Sequence, residues 1–86
     1  MASFKNITSA ATTVVKASPG LLKLISINTD GAGAITMYDH ASAASGRVIG
    51  VIESAAPHGS YFYEVDCSLG IVVVTAATID ITVVYE

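Results

Sequence analysis

The sequence predicts an all-β fold, namely a single small antiparallel β-sandwich or barrel of seven to eight short strands. Short runs of β-branched and aromatic residues are separated by clusters of glycine, proline, serine and alanine at close intervals. No window of useful length has the apolar spacing of an amphipathic helix. A chain of 86 residues has the length of one domain, so we expect a single domain over residues 1–86.

Each predicted strand is justified by its own pattern and by the turn signal that ends it. Pro19-Gly20 ends the second run, and the small residues of segment 40–46 separate the fourth run from the fifth. In the last run apolar and polar side chains alternate, with Ile81 and Val83 on one face and Thr82 on the other. In chain order, the predicted strands are 4–8, 12–16, 21–29, 34–39, 47–53, 60–66, 71–75 and 78–85.

Residues 20–39 predict a central β-hairpin around which the other strands are arranged. Two β-rich runs flank Asp30-Gly31-Ala32-Gly33, in which the two glycines can adopt positive φ at little cost. A phosphate-binding loop is the alternative for this glycine-rich segment. Such a loop leads into a helix, whereas a strand follows here, so we interpret the segment as a hairpin turn that sets the register.

The composition predicts an oligomer. Charged residues make up 13% of the chain and hydrophobic residues 52%, which leaves too few charges to cover a small monomer. Cys67 is the only cysteine, so no intrachain disulfide can reinforce the small core. Segments 21–27 and 71–74 are apolar on both strand faces, and we expect a neighbouring subunit to cover one of them. On this view Val73→Asp and Val83→Asp should break the oligomer, most simply a trimer.

Charge and segment patterns exclude several classes of partner. The net charge is −3, and the basic residues Lys5, Lys16, Lys23 and Arg47 are dispersed, so no nucleic-acid surface is predicted. A membrane-spanning helix needs about 18 consecutive apolar residues, and no segment approaches that length. The first residues lack the pattern of a secretory signal. A lone cysteine is consistent with synthesis in a reducing cytoplasm.

The sequence predicts no catalytic residue, no cofactor-binding residue and no metal ligand. Asp39 and His40 could form an acid–base pair, but without a nucleophile in a recognisable setting a loop histidine is the better interpretation. His58, between proline and glycine, is interpreted as a turn residue. Cys67 follows Asp66, whose carboxylate would raise the thiol pKa, so we interpret Cys67 as structural.

The aromatic side chains could stack on sugars or bases. Tyr61 and Tyr63 share a face of one predicted strand, with Phe62 between them, and Tyr38 and Tyr85 lie in other strands. We expect these residues to pack in the core or at a subunit interface, where tyrosine is common.

The succession of strands resembles small all-β virion proteins of tailed bacteriophages, of the head-decoration, capsid-cement or head-fibre-base type. The resemblance covers nearly the whole chain. It rests on these segments: Ile7-Thr8 before Thr12-Thr13-Val14-Val15-Lys16, Pro19-Gly20-Leu21-Leu22, Ile25-Ser26-Ile27-Asn28-Thr29 before the glycine turn, Ile35-Thr36-Met37-Tyr38-Asp39, Ile71-Val72-Val73-Val74-Thr75-Ala76 and Ile81-Thr82-Val83-Val84-Tyr85. The resemblance implies a non-enzymatic trimer on the outside of a capsid, bound to the major capsid protein. It transfers no functional residue.

An alternative hypothesis is a carbohydrate- or receptor-binding module of a phage fibre. Such a module should place aromatic and acidic residues on exposed loops. In this sequence the loops are rich in alanine, serine and glycine, and the aromatic residues fall in predicted strands. The sequence therefore favours a virion structural protein over the binding module, and both over an enzyme.

Overall fold

The computed structural model describes residues 2–29, 33–54 and 57–86, and confirms the all-β prediction. Eight strands form two antiparallel sheets of four, and the described residues contain no helix. We call the sheet of order β1-β8-β3-β6 sheet A and the sheet of order β2-β7-β4-β5 sheet B. The strands are β1 Ser3–Ile7, β2 Ala11–Lys16, β3 Gly20–Thr29, β4 Ile35–Asp39, β5 Arg47–Ile52, β6 Gly59–Cys67, β7 Ile71–Thr75 and β8 Asp80–Tyr85.

The two sheets pack face to face. Of the two predicted architectures, a sandwich or a barrel, the chain therefore forms the sandwich. Alternation places every second side chain of a strand in the space between the sheets. In β8 the predicted alternation is present, since Ile81 and Val83 are fully buried while Thr82 is not. The buried cluster between the sheets comprises Ile7, Val15, Leu22, Ile25, Ile27, Ile35, Met37, Ile52, Cys67, Ile71, Val73, Ile79, Ile81 and Val83.

The predicted central hairpin is wrong, because β3 and β4 lie in different sheets. Strand β3 pairs with β6 and β8, and β4 pairs with β5 and β7. The physical reason is burial. Ile25 of β3 and Met37 of β4 both face the core. Because the two strands lie in opposite sheets, the apolar face of each sheet packs against the apolar face of the other. A hairpin would have placed these faces side by side in one layer.

Gly33 does not act as the sequence predicts. The glycines with positive φ among the described residues are Gly46 and Gly59, whereas Gly31 lies outside the described residues. Gly33 is instead required by a close approach, because a Cβ there would lie 2.7 Å from the backbone nitrogen of Ala77. The loop before β4 therefore packs tightly against the loop between β7 and β8.

Substituting Gly33 is expected to destabilise the fold through this contact. Gly33→Ala should lower the free energy of unfolding by about 1–3 kcal/mol, because the neighbouring backbone must shift. Urea denaturation measures this. The exposed Thr78→Ala, in the adjacent loop, is the matched control and should change stability by less than about 0.5 kcal/mol. Equal midpoints for the two variants would contradict the close approach.

A bulge in β6 holds Glu64 in the left-handed region, with φ of 53°. Between the pairs Leu22–Val65 and Leu24–Phe62, β6 has two residues where β3 has one. The extra residue lets the regularly alternating β6 pair with β3, in which Leu22 faces the core and Leu24 faces outward. Glycine adopts positive φ without the steric cost that a side chain imposes.

Two variants of Glu64 test this backbone conformation. Glu64→Gly should leave stability unchanged or raise it by up to about 1 kcal/mol, while Glu64→Val should lower it by about 1–2 kcal/mol. Thermal denaturation followed by circular dichroism compares them. If valine were tolerated as well as glycine, the left-handed assignment would be incorrect.

Val73 and Val83 do not lie at a subunit interface, contrary to the sequence-based expectation. Both are fully buried between the two sheets of the same chain. The alternate residues Val72, Val74 and Val84 occupy the opposite, outward faces of β7 and β8. Strand β7 is therefore apolar on both faces, and its inward face is covered by sheet A.

Candidate functional surface

The described residues contain no cavity and no group of three or more His, Cys, Asp or Glu that could hold a metal ion. The features that could carry a function are therefore the individual polar groups at the sandwich ends and the outward faces of the two sheets.

Asp39, at the end of β4, is a buried carboxylate that fastens the turn between β6 and β7. Oδ1 accepts hydrogen bonds from the backbone nitrogens of Leu69 at 2.9 Å and Gly70 at 3.3 Å. Oδ2 accepts hydrogen bonds from Ser68, from its nitrogen at 3.1 Å and its hydroxyl at 3.2 Å. The hydrogen bond from Leu69 is the largest cause that lowers the pKa of Asp39, and it outweighs the opposing effect of burial. We call this arrangement the Asp39 clamp.

His40 stabilises its own loop. The ring atom Nδ1 accepts hydrogen bonds from the backbone nitrogens of Ser42 at 3.1 Å and Ala43 at 3.0 Å. Asp39 and His40 thus serve two separate loops, and the geometry does not assemble the acid–base pair considered from the sequence. His58 is exposed in the segment before β6.

Cys67 is buried at the end of β6, next to the Asp39 clamp. Its Sγ lies 3.7 Å from the backbone oxygen of Val65. Burial is the main cause that raises the pKa of the Cys67 thiol, followed by the charge of Asp39, while the adjacent Asp66 contributes less. A buried thiol with a raised pKa is suited to packing rather than to nucleophilic chemistry.

Three of the six aromatic residues pack inward, as the sequence predicts, whereas Phe4, Tyr38 and Phe62 face outward. Tyr61, Tyr63 and Tyr85 contact the buried cluster. The Tyr63 ring lies over Gly50 of β5, where a Cβ would come within 2.7 Å of the ring. The Tyr61 hydroxyl donates a hydrogen bond of 2.6 Å to the backbone oxygen of Pro57. These rings are thus occupied by contacts within the chain.

The outward face of sheet B carries eight uncharged side chains in two rows that cross all four strands. In each row the residues are direct register partners, so their side chains lie next to one another. One row is Thr12, Val74, Thr36 and Val51, and the other is Val14, Val72, Tyr38 and Val48. We call these eight residues the valine face.

The valine face is partly exposed although its members are mostly apolar. Val48 and Val51 of the edge strand β5 are each 53% exposed, and Val14 of β2 is 39% exposed. Val72, in the centre of the face, is fully buried. A regular strand would put only one of Val48 and Val51 outward. The irregular pairing between Met37 and Tyr38 allows both to face outward.

The outward face of sheet A has one apolar row and one polar row. The apolar row runs Phe4, Val84, Leu24 and Phe62 across the four strands, and we call it the phenylalanine row. Its two ends, Phe4 and Phe62, are 71% and 70% exposed. Such exposure of two phenylalanines in one row is unusual for the surface of an isolated soluble domain.

The polar row is held by Asp80 and two asparagines. Asp80 Oδ1 accepts hydrogen bonds from the side-chain nitrogens of Asn6 at 2.8 Å and Asn28 at 3.0 Å. These two hydrogen bonds lower the pKa of Asp80, and the bond from Asn28 has the larger effect. Asn28 also donates to the Thr82 hydroxyl at 3.1 Å, so the row is linked across β1, β8 and β3. Sheet A thus presents hydrogen-bonding groups directly beside the phenylalanine row.

Sequence reasoning expected an outward apolar surface on segments 21–27 and 71–74 but did not identify the residues that form the two outward faces. Phe4 was available as a signal, because it precedes Lys5 and Asn6 in a short run with little apolar content. Phe62, by contrast, is exposed because Tyr61 and Tyr63 on either side of it face the core. The sequence alone did not decide whether these tyrosines pack in the core or at a subunit interface.

Comparisons with known proteins identified no relative of this chain. A scan against family models and searches of curated proteins and of solved structures found no match to this chain. In the part of the chain that the structure describes, no helix is long and apolar enough to cross a membrane.

Proposed function

We propose that this chain is a non-enzymatic virion structural protein of a tailed bacteriophage. In this proposal it forms a homotrimer, is made in the bacterial cytoplasm and binds the outside of the capsid as a decoration, cement or head-fibre protein. The observation that carries the proposal is that both outward sheet faces expose apolar rows. The resemblance of the strand succession to such virion proteins supplies the biological setting.

The exposed apolar rows argue for a protein that works in an assembly. Large apolar side chains exposed in contiguous rows mark surfaces that other proteins cover. The chain has only 13% charged residues with which to keep an isolated monomer soluble. His40 and Asp39 hold loops and Cys67 is buried, which supports a structural role for the residues that could otherwise carry chemistry.

The two faces differ in chemistry, and this supports a division of roles. The valine face is uncharged and mostly aliphatic, which suits a permanent contact between subunits. Sheet A combines the phenylalanine row with amide, hydroxyl and carboxylate groups, which suits a contact with a different protein. In the proposal, sheet A faces the major capsid protein. Three weak contacts in one trimer would then reinforce each other through effective concentration.

The proposal is tested by adding the purified protein to capsids that lack it. We expect saturable binding to the outer surface, which sedimentation and negative-stain microscopy detect. Alanine variants of His40, His58 and Cys67 that remain folded should bind like wild type, because none of these side chains belongs to the outward faces. An absence of capsid binding by the wild-type protein would refute the proposal.

A glycan-binding module remains the second candidate, and one observation favours it. The phenylalanine row and the Asn6–Asp80–Asn28 network lie side by side, and sugars offer both an apolar ring face and hydroxyl donors. Nuclear magnetic resonance titration with cellohexaose and chitohexaose tests this candidate. Shifts confined to sheet A that disappear in Phe62→Ala would favour it over capsid attachment.

A further inference from the structure

We propose that the valine face is the surface through which identical copies of this chain associate, each copy burying its valine face against those of its neighbours. The inference rests on the proposed homo-oligomer and adds the surface that forms it. It replaces the sequence-based expectation that Val73 and Val83 are interface residues, because both are buried within the chain.

The composition of the valine face identifies the kind of partner. Contacts between proteins that also exist separately are about as polar as the rest of the surface. Permanent contacts between identical subunits are more hydrophobic and resemble a domain core that has been divided. The valine face has five valines, two threonines and one tyrosine in two adjoining rows. This composition is that of a subunit interface.

Charge supports the same partner. Each copy has a net charge of −3, so copies that approach through charged surfaces would repel one another. None of the eight residues of the valine face is ionisable near neutral pH. Arg47 begins β5 and Glu53 follows its end, so that strand has opposite charges at its two ends. Several copies can therefore converge on the valine face without placing like charges in the centre of the contact.

The size of the face shows how far the contact must extend. With strands about 4.8 Å apart and same-face residues about 7 Å apart, the eight side chains cover roughly 270 Å². A standard interface buries about 800 Å² on each partner. The contact must therefore continue beyond the two rows. The exposed Ala10 and Ala76, just outside β2 and β7, extend the uncharged surface without a bulky side chain to hold the copies apart.

A pair of matched double variants tests the inference. Val48→Lys with Val51→Lys places two charges on the valine face at positions that are already half exposed, so the chain should still fold. Phe4→Lys with Phe62→Lys places the same charges on sheet A. Size-exclusion chromatography with light scattering gives the mass of each variant, and circular dichroism verifies its fold. We expect the valine variant to be a monomer and the phenylalanine variant to keep the wild-type mass.

The outcomes separate this inference from the proposed function. If wild type is an oligomer and the folded valine variant keeps its mass, the inference is overturned while the proposed function stands. Dissociation of the phenylalanine variant alone would move the interface to sheet A and also overturn it. A monomeric wild type would contradict both. If the lysine variant does not fold, Val48→Thr with Val51→Thr replaces it. A dissociation constant raised at least tenfold supports the inference, and an unchanged constant overturns it.

Discussion

Replacing Asp39 with alanine is expected to lower the free energy of unfolding by about 2–4 kcal/mol, because the variant leaves one buried and three partly buried donors without their acceptor. Asp39 accepts four hydrogen bonds from Ser68, Leu69 and Gly70, and three of the donors are backbone nitrogens. That turn joins β6 of sheet A to β7 of sheet B, so the loss should loosen the connection between the sheets.

Ser68→Ala is the matched control for the Asp39 clamp. It removes the hydroxyl donor but keeps the three backbone bonds, so we expect a loss of about 1 kcal/mol or less. Urea denaturation of the three proteins at neutral pH measures the difference. If Asp39→Ala were no less stable than Ser68→Ala, the clamp would not be a major contribution to stability.

The Asp39 clamp also predicts how stability depends on acid. The folded-state pKa of Asp39 lies below the ordinary value of 3.8, so the stabilisation is fully present above that value. It is lost progressively as the pH falls through the lower folded-state pKa. Urea midpoints between about pH 5 and pH 2 should therefore decline for wild type, and less steeply for Asp39→Asn. The same decline in both would assign the acid sensitivity to other carboxylates.

Val83→Asp is expected to unfold the isolated chain, with a loss of more than about 4 kcal/mol. Val83 is fully buried between the sheets, where an unpaired carboxylate has neither water nor a cation to stabilise it. Its neighbour Val84 faces outward between Phe4 and Leu24. Val84→Asp should therefore retain the fold with a loss of about 1 kcal/mol.

Far-UV circular dichroism and thermal denaturation of the two variants measure this contrast. The two substitutions introduce the same side chain at adjacent positions of one strand, so composition and local β-propensity are matched. A folded Val83→Asp with an unfolded Val84→Asp would mean that the two faces of β8 are assigned the wrong way round.

The sequence was sufficient for the strands but not for their partners. Strand positions follow from local patterns, such as the alternation of Ile81, Thr82 and Val83, and from punctuation by glycine and proline. Pairing depends on which apolar faces cover each other, and this is a property of the whole chain. The segment around Gly31 and Gly33 has the local pattern of a hairpin, yet β3 and β4 lie in opposite sheets and both contribute to the core between them.

The candidate surfaces were less accessible to sequence reasoning. The partners of Asp39 are about 30 residues away in the chain, so nothing near Asp39 indicates the clamp. The valine face depends on cross-strand register and on an irregularity that places both Val48 and Val51 outward. The apolar content of segment 71–74 did indicate an excess of apolar surface. Only the sheet assignment shows that Val72 and Val74, rather than Val73, supply the outward part.

Native mass spectrometry of the wild-type protein at micromolar concentration tests the central claim, self-association, most directly. We expect a species of three times the chain mass of 8.8 kDa, which persists on dilution and disappears in the Val48→Lys, Val51→Lys variant. In that case identical copies cover the valine face. A wild-type protein that remains at 8.8 kDa throughout this concentration range would contradict the account.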